Sequence, residues 1–467
     1  MKVTMQSELT TQEICTMCGG SLVGDGSIEI RGFCTDSREA DEATAFVALR
    51  GERVDGHDYI GAACARGCRL VICERVTDGC DVTQIVVPDS EMALSHMAAA
   101  RRRTLSCKTV AVTGSVGKTT TKEMIAAVLS THASVYRSEG NHNSVIGMPL
   151  SVMEIDRAHD FAVLEMGMSG RGEIERMSRS ACPDIAVVTN IGTSHMEMLG
   201  SRENICRAKL EILCGLREGG VLLLNGDEPL LQGVEGKTYR TLYISLSCEN
   251  ASLFAQNIQV ESDGTRFDAV WEGKRYADLR IRVQGRHNVY AALYAFAVGM
   301  LSGLTEEEIR EGLLLFAPTG MRQNVYPYRG VTVVEDCYNA SPESMRAAID
   351  VTVECARRTG GRSIAVLGGM LELGNESDAL HRAVGAYAMQ AGVDRLLVLG
   401  HGGEMIAHGA YDEGFEKERI HVNADTENVV CTAEALRDVL RDGDCVLFKA
   451  SRSIRMERVL EYWKSHH

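Results

Sequence analysis

Residues 112–120 read Val-Thr-Gly-Ser-Val-Gly-Lys-Thr-Thr, with an apolar run before them and a helix-forming run after. This order of elements makes a cradle for phosphate. The backbone N–H groups of Gly114, Ser115, Val116, Gly117, Lys118, Thr119 and Thr120 can point inward only where glycine permits a sharp turn, and the helix opening near Lys118 adds its positive N-terminal dipole. In such a loop the lysine, Lys118, reaches the β- and γ-phosphates and the Thr119 hydroxyl ligates Mg²⁺. The expected ligand is therefore ATP with Mg²⁺. The loop alone does not say what the energy drives, because motors, switches, kinases and ligases all carry one.

Magnesium takes hard oxygen ligands beyond the phosphates, and a carboxylate at the tip of a buried strand supplies one. Glu165, which ends the apolar run "FAVLE", stands in that place. His195 lies in the loop after another apolar run, "IAVV", and Lys209 sits among apolar neighbours in "SRENICRAKLEILCGL". Each also has a plainer reading. Glu165 could cap a turn, His195 could be solvated, and Lys209 could snorkel to water along its stem.

Three α/β units are expected to position these groups. Residues 1–104 contain short apolar runs, "AFVAL", "RLVIC" and "QIVVP", and end in a helical connection, "SEMALSHMAAARRRT". Over 105–317, β-branched runs alternate with helical stretches as in a doubly wound, mostly parallel sheet covered on both faces; residues 253–283 change to alternating strands with "DG" and "EG" turns, an antiparallel annex. Alternation restarts over 318–467 without a second phosphate loop, as a Rossmann-like α/β unit.

Composition narrows the class. The chain has 467 residues, 45% of them hydrophobic, and a formal net charge of −15, which disfavours a nucleic-acid backbone as partner. No apolar run approaches the ~20 residues of a membrane span, so a soluble, cytoplasmic protein is expected, with a monomer as the default. The 16 cysteines are scattered, many inside apolar runs, and read as reduced thiols. Cys15 and Cys18 have metal-ligand spacing, but no second pair lies near to complete four ligands.

The departure of Val112 from the general phosphate-loop pattern, which has Gly or Ala there, leaves Thr-Gly-x-x-Gly-Lys-Thr, the version carried by the Mur ligases and folylpolyglutamate synthetases. The resemblance to the Mur ligases extends over nearly the whole chain. "TDSREADEATAFVALRGERVDGHDYIGAA" is similar to their uridine-diphosphate site, which implies nucleotide contacts for Ser37 and Arg38 with Asp36 shaping the turn. "EGNHNSVIGMPL" resembles their substrate loop and implies contacts from Asn141 and Asn143, with Ser144 replacing a second paired Asn. "GRHNVYAALYAF" resembles their adenine-side segment, implying His287 and Asn288 near the base and Ala291 in place of a later Asn. In a matching "AKxEI" segment the family carbamylates a lysine with CO₂, implying a carbamate on Lys209 that helps hold a second Mg²⁺; His195 is expected as a further metal-site residue.

The most discriminating stretch is "VVEDCYNASPESM", which resembles the Asp-Asp-Ser-Tyr-Asn-Ala-Asn-Pro signature of the branch that joins D-alanyl-D-alanine to UDP-N-acetylmuramoyl-tripeptide. That match implies Asp336 on the ATP ribose, Tyr338 and Asn339 at the junction with the central unit, and Arg322 reaching toward phosphate. Glu335, Cys337 and Ser341 depart from the signature, and Gly369 and Ala450 from the later segments "LGGMLELGNESDALHRAVG" and "KASRSIRMERVL". The implied reaction is phosphorylation of a carboxylate by ATP and its capture by an amine, in peptidoglycan precursor synthesis. Two rivals remain at this stage. One is a sister amide ligase, such as a folylpolyglutamate synthetase or a ligase adding a different residue; the other is a nucleotide-dependent scaffold without chemistry.

Overall fold

The computed structural model describes residues 1–51 and 53–466, and its strands form three sheets of six, nine and six members. In the first sheet, strands Thr44–Val47, Leu70–Cys73 and Thr83–Val86 run parallel at the centre, as the apolar runs in the sequence predict. The first 27 residues go beyond that reading. Lys2–Thr10 pairs antiparallel with Glu29–Cys34, and Ser21–Val23 closes the other edge against Thr83–Val86. Between them lies helix Thr11–Cys18, whose start is fixed by a reciprocal capping box between Thr10 and Glu13. Cys15 and Cys18 fall one turn apart on its buried face, where burial pushes the Cys18 thiol up to about 11. They pack as small apolar groups.

The nine-stranded sheet is the largest unit. Its parallel part places Val135–Arg137, Phe161–Glu165, Lys108–Thr113, Ile185–Val188, Val221–Asn225 and Arg240–Ser245 side by side. The strands Leu253–Glu261, Gly264–Trp271 and Lys274–Ile281 extend the same sheet, the first joining parallel and the others antiparallel. The annex is thus an edge of the central sheet. Helices Lys118–Leu129 and Asn288–Leu301 pack together over one face, and their apolar side chains share a cluster with the annex through Phe267, Trp271 and Phe296.

In the third sheet, the apolar runs "GVTVVEDC", "SIAVLGG", "DRLLVLG" and "CVLFKAS" form the strands Val331–Glu335, Ser363–Gly368, Arg395–Leu399 and Cys445–Lys449. Two edge strands, Asn324–Tyr328 and Ile420–Asn423, complete it. Both are half-buried and carry Pro327 or polar residues, which removes the continuous apolar signal of a central strand. No helix among the described residues is long and apolar enough to cross a membrane.

Helix Ser90–Arg103 joins the first unit to the central one. Near its end Arg102 is fully buried and donates to three carbonyl oxygens, those of Ala181 (3.1 Å), Leu105 (3.0 Å) and Cys107 (2.7 Å), and lies 3.4 Å from the Asp184 carboxylate. Removing the guanidinium strands buried acceptors at the root of the phosphate-loop strand. Arg102→Met should therefore lower unfolding stability by about 3 kcal/mol. Urea denaturation checks this, and a midpoint unchanged from wild type would refute it.

Candidate functional site

The phosphate loop follows strand Lys108–Thr113 and ends at helix Lys118–Leu129. Gly114 and Gly117 take φ of 148° and 79°, and Gly117 forms the N-cap in the left-handed region. At Gly114 the space is closed as well: a Cβ there would lie 1.8 Å from Thr189 Oγ1. The loop's inward N–H groups are held by a side chain that the sequence analysis did not single out. Asn190 Oδ1 accepts from Ser115 N–H (3.1 Å) and Val116 N–H (2.9 Å). Thr189 Oγ1 donates to Val116 O at 2.6 Å, and Gly192 N–H donates to Ser115 Oγ at 2.8 Å. The strand-end segment "VTNIG" was the available signal.

Lys118 folds over its own loop, donating to Gly114 O (2.9 Å) and Ser115 O (3.3 Å). Burial pushes its ammonium below the usual lysine range; Glu165 opposes that shift and Arg322 adds to it. Thr119 Oγ1 donates to Glu165 Oε2 at 2.8 Å, and Asn143 Nδ2 donates to Glu165 Oε1 at 2.7 Å. The hydroxyl and carboxylate oxygens are hard donors that suit Mg²⁺, and no three His, Cys, Asp or Glu side chains converge as a metal group among the described residues. A cation here would share its shell with phosphate and water.

Lys209 lies in helix Arg202–Leu210 and is 1% exposed. Burial, with Lys118's charge as a second cause, pushes its amine well below the ordinary value. As an ammonium it is no ligand for a cation. As a neutral amine it can react with CO₂.

His195 opens the one-turn helix Met196–Leu199 and meets Glu372, from the C-terminal unit, with 2.5 Å between Nδ1 and Oε2. Of the residues expected near the base, Asn288 Nδ2 (3.0 Å) and His287 Nε2 (2.8 Å) share Gln323 Oε1. A small cavity of about 20 Å³ is lined by Thr119, Thr120, Asn288, Phe316 and Arg322, which brings the phosphate-loop helix together with Asn288 but not His287 of the expected adenine side. A wider cleft of about 970 Å³ opens on the other side of His287, between Tyr290 and Asp350. Phosphate-loop residues do not line it.

In the signature segment, Lys449 Nζ lies 2.5 Å from Asp336 Oδ2 and donates to Asn339 O at 2.9 Å. Asp336 Oδ1 accepts from Gln323 N–H at 3.2 Å, and the Arg322 guanidinium sits 3.8 Å over the Tyr338 ring. Lys449 was not anticipated, although a lysine ending the apolar run "CVLFK" was a legible anomaly. Ser37, Arg38 and Asn141 are not hydrogen-bonded to this cluster among the described residues. Ser37 is buried beside Asp36 at the first sheet, Arg38 is exposed and paired with Asp36 at 2.6 Å, and Asn141 is exposed.

Family models match along the chain: "Mur ligase family, catalytic domain" over residues 29–102, "Mur ligase middle domain" over 112–299, and "Mur ligase, glutamate ligase domain" over 321–452. A relative from Bacillus subtilis (strain 168), named UDP-N-acetylmuramoyl-tripeptide--D-alanyl-D-alanine ligase, is 38% identical over 460 residues, covering 97% of each chain. The chain belongs to the Mur ligase family. Among solved Mur ligases, MurF from Acinetobacter baumannii superposes with a TM-score of 0.90 at 29% identity, covering 99% of this chain and 100% of that one. MurF ligase from Thermotoga maritima in complex with ADP gives 0.82 at 30%, covering 93% and 97%.

The Gly114 contact generates a direct test. Gly114→Ala should weaken ATP binding by about tenfold or more, because the new methyl must displace Thr189 or the loop. The double variant Gly114→Ala, Thr189→Ala should recover part of the loss. Titration calorimetry with ATP and Mg²⁺ decides; unchanged affinity in the single variant would show that the loop does not need this approach.

Proposed function

We infer that this Mur ligase is the ATP-dependent ligase that joins D-alanyl-D-alanine to UDP-N-acetylmuramoyl-tripeptide, giving the pentapeptide precursor of peptidoglycan. Full-length likeness to relatives of that name supports the reading, as does the signature around Asp336. The single observation that carries the chemistry is the contact of Thr119 and Asn143 with the two oxygens of Glu165, because it joins the nucleotide loop to the loop assigned to the acyl substrate.

A carboxylate at neutral pH is a poor electrophile, so amide formation requires its oxygen to become a leaving group. The terminal carboxylate of the tripeptide attacks the γ-phosphorus in line, the bond to ADP breaks, and an acyl phosphate forms. Lys118, released from the Gly114 and Ser115 carbonyls, neutralises charge on the transferring oxygens. The dipeptide amine, neutral once its ammonium proton has passed to solvent, attacks the acyl carbon, and its second proton leaves with the departing phosphate. The tetrahedral intermediate then collapses, phosphate leaves, and the amide remains.

Mg²⁺ bound at this site supplies further neutralisation of the phosphoryl oxygens. Thr119 and Glu165 would hold one ion, and His195 and a carbamate on Lys209 a second. On the nucleotide, Asn288 and His287 serve the base, Asp336 the ribose and Arg322 the phosphates. Ser37 and Arg38 serve the uridine end, Asn141 and Asn143 the acyl substrate, and Tyr338 and Asn339 the junction. Residues 1–104, 105–317 and 318–467 act as the uridine, ATP and amine units of a cytoplasmic monomer.

Phosphate release should require ATP, Mg²⁺, the tripeptide nucleotide and D-alanyl-D-alanine together, and mass spectrometry should find the pentapeptide product. Lys118→Met should reduce the rate at least ~100-fold. Release with a different amine would move the protein to a sister ligase, and no release under any combination would favour a scaffold. For Lys209, ¹³C-bicarbonate should give a carbamate resonance that Lys209→Gln lacks, and activity should fall when CO₂ is removed. No resonance and no CO₂ dependence would remove the carbamate from the mechanism.

A further inference from the structure

The loop that follows strand Ile185–Val188 is bonded on both sides. Toward the nucleotide it holds the phosphate loop through Thr189, Asn190 and the Gly192–Ser115 contact. Toward the C-terminal unit, Thr193 donates its N–H (3.0 Å) and hydroxyl (3.2 Å) to Glu343 Oε1. His195 Nδ1 meets Glu372 Oε2 at 2.5 Å, and Glu197 N–H donates to the Glu372 carbonyl at 3.1 Å.

The fit leaves little slack. A Cβ on Gly192 would lie 2.9 Å from the Glu343 carboxylate carbon, and one on Gly374 would lie 3.1 Å from Glu197 Cα. His195 and Glu372 both adopt left-handed backbone, with φ of 65° and 62°. Non-glycine residues keep that conformation where their surroundings hold them there.

We propose that Glu372, assisted by Glu343, is a positioning residue through which docking of the C-terminal unit sets the 189–197 loop and fixes the His195 imidazole with its proton on Nδ1. A carboxylate on one ring nitrogen determines the tautomer and leaves the other nitrogen, here Nε2, with the free lone pair a cation can use. The unit assigned to bring the amine would then also complete the phosphoryl-transfer site. Acyl phosphate would form only once the amine-bearing unit is in place, which limits its exposure to water. This rests on the ligase reading, and the test separates the two.

The full-length protein labelled with ¹⁵N-histidine reports the tautomer by NMR without turnover, the His195 signal being assigned from a His195→Gln sample. Wild type should show Nδ1–H at His195, and Glu372→Ala should shift it to Nε2–H. Glu372→Gln, which keeps an acceptor for the ring N–H, should preserve the wild-type tautomer. In ligation assays Glu372→Ala should lower kcat about tenfold with KM for ATP within about twofold, and Glu372→Gln should restore most of the rate. Thermal melts of all variants verify folding. An Nδ1–H tautomer retained in Glu372→Ala, or a kcat equal to wild type, would overturn the proposal. Absence of ligation in the wild type would instead remove the ligase reading, with the tautomer measurement still deciding the contact.

Discussion

The hydrogen bond between Thr119 and Glu165 depends on two strands being neighbours in one sheet. Lys108–Thr113 and Phe161–Glu165 pair in parallel with Val112 opposite Glu165, so the carboxylate emerges beside the start of the phosphate loop. Adjacent strands are separated by about 4.8 Å, a gap that a threonine one residue into the following helix can bridge. The carboxylate is also held from behind. Lys122, fully buried, donates to Ser138 O at 2.6 Å and pairs with Glu123 at 2.9 Å, while Ser138 Oγ accepts the Glu165 N–H at 3.2 Å. An unpaired buried ammonium would cost several kcal/mol. Here its charge is compensated, and it holds the Ser138 segment that accepts the Glu165 N–H.

What could be read from the sequence follows from how each signal arises. Central parallel strands are apolar on both faces, so Phe161–Glu165, Ile185–Val188 and Ser363–Gly368 stood out, and the glycine spacing announced the loop. The strand Lys2–Thr10 did not, because its residues are mostly exposed or half-buried and its antiparallel partner lies about two dozen residues away. Contacts between distant segments were also invisible. Nothing in "LELGNE" shows that Glu372 meets His195, and nothing in "PESM" shows that Glu343 meets Thr193, since both contacts join segments 150 or more residues apart in units built on different sheets. The near-complete burial of Lys209 was only partly foreseen, because the sequence of its own helix shows just the apolar residues beside it.

The departures from the signature follow the same physics. Ser341 stands where the signature has Asn, yet it is the N-cap of helix Pro342–Thr359, accepting the Ser344 N–H in a capping box. Ser and Asn are near-equivalent in that role. Cys337 is fully buried with its thiol near Phe448 O, and burial pushes the thiol far above its usual range, so it behaves as an apolar filler where the signature has a serine. Ala291 packs in the apolar cluster of helix Asn288–Leu301, which leaves Asn288 and His287 as the polar groups of that turn. A Cβ on Gly369 would meet Gly402 Cα at 3.7 Å and His381 Nε2 at 3.9 Å, ordinary van der Waals contact, so this position does not demand glycine. The Ser341 and Cys337 positions concern local capping and packing and are separate from the Thr119–Glu165 hydrogen bond and the Lys118 contacts with its own loop.

The two joints of the central unit differ in kind, and that difference sets which part can move. On the N-terminal side, Leu150 and Met153 of helix Gly147–Glu154 belong to the same buried cluster as Ile14, Phe33 and Ile72. Separating those units would expose apolar surface at about 25 cal/mol per Å². On the C-terminal side the apolar clusters stop short of the boundary, and the joint is made of polar contacts: Arg358 to Glu261 O and Gln284, Glu343 to Thr193, and Glu372 to His195. Water can replace each of these partners at a net cost of about 0.5–3 kcal/mol. The N-terminal unit is therefore joined to the central one by shared apolar burial, whereas the C-terminal joint rests on polar contacts that cost less to exchange for water. A ligase that must admit two substrates and a nucleotide, then exclude water, needs one stiff joint to keep the acyl group in line and one soft joint to open the site.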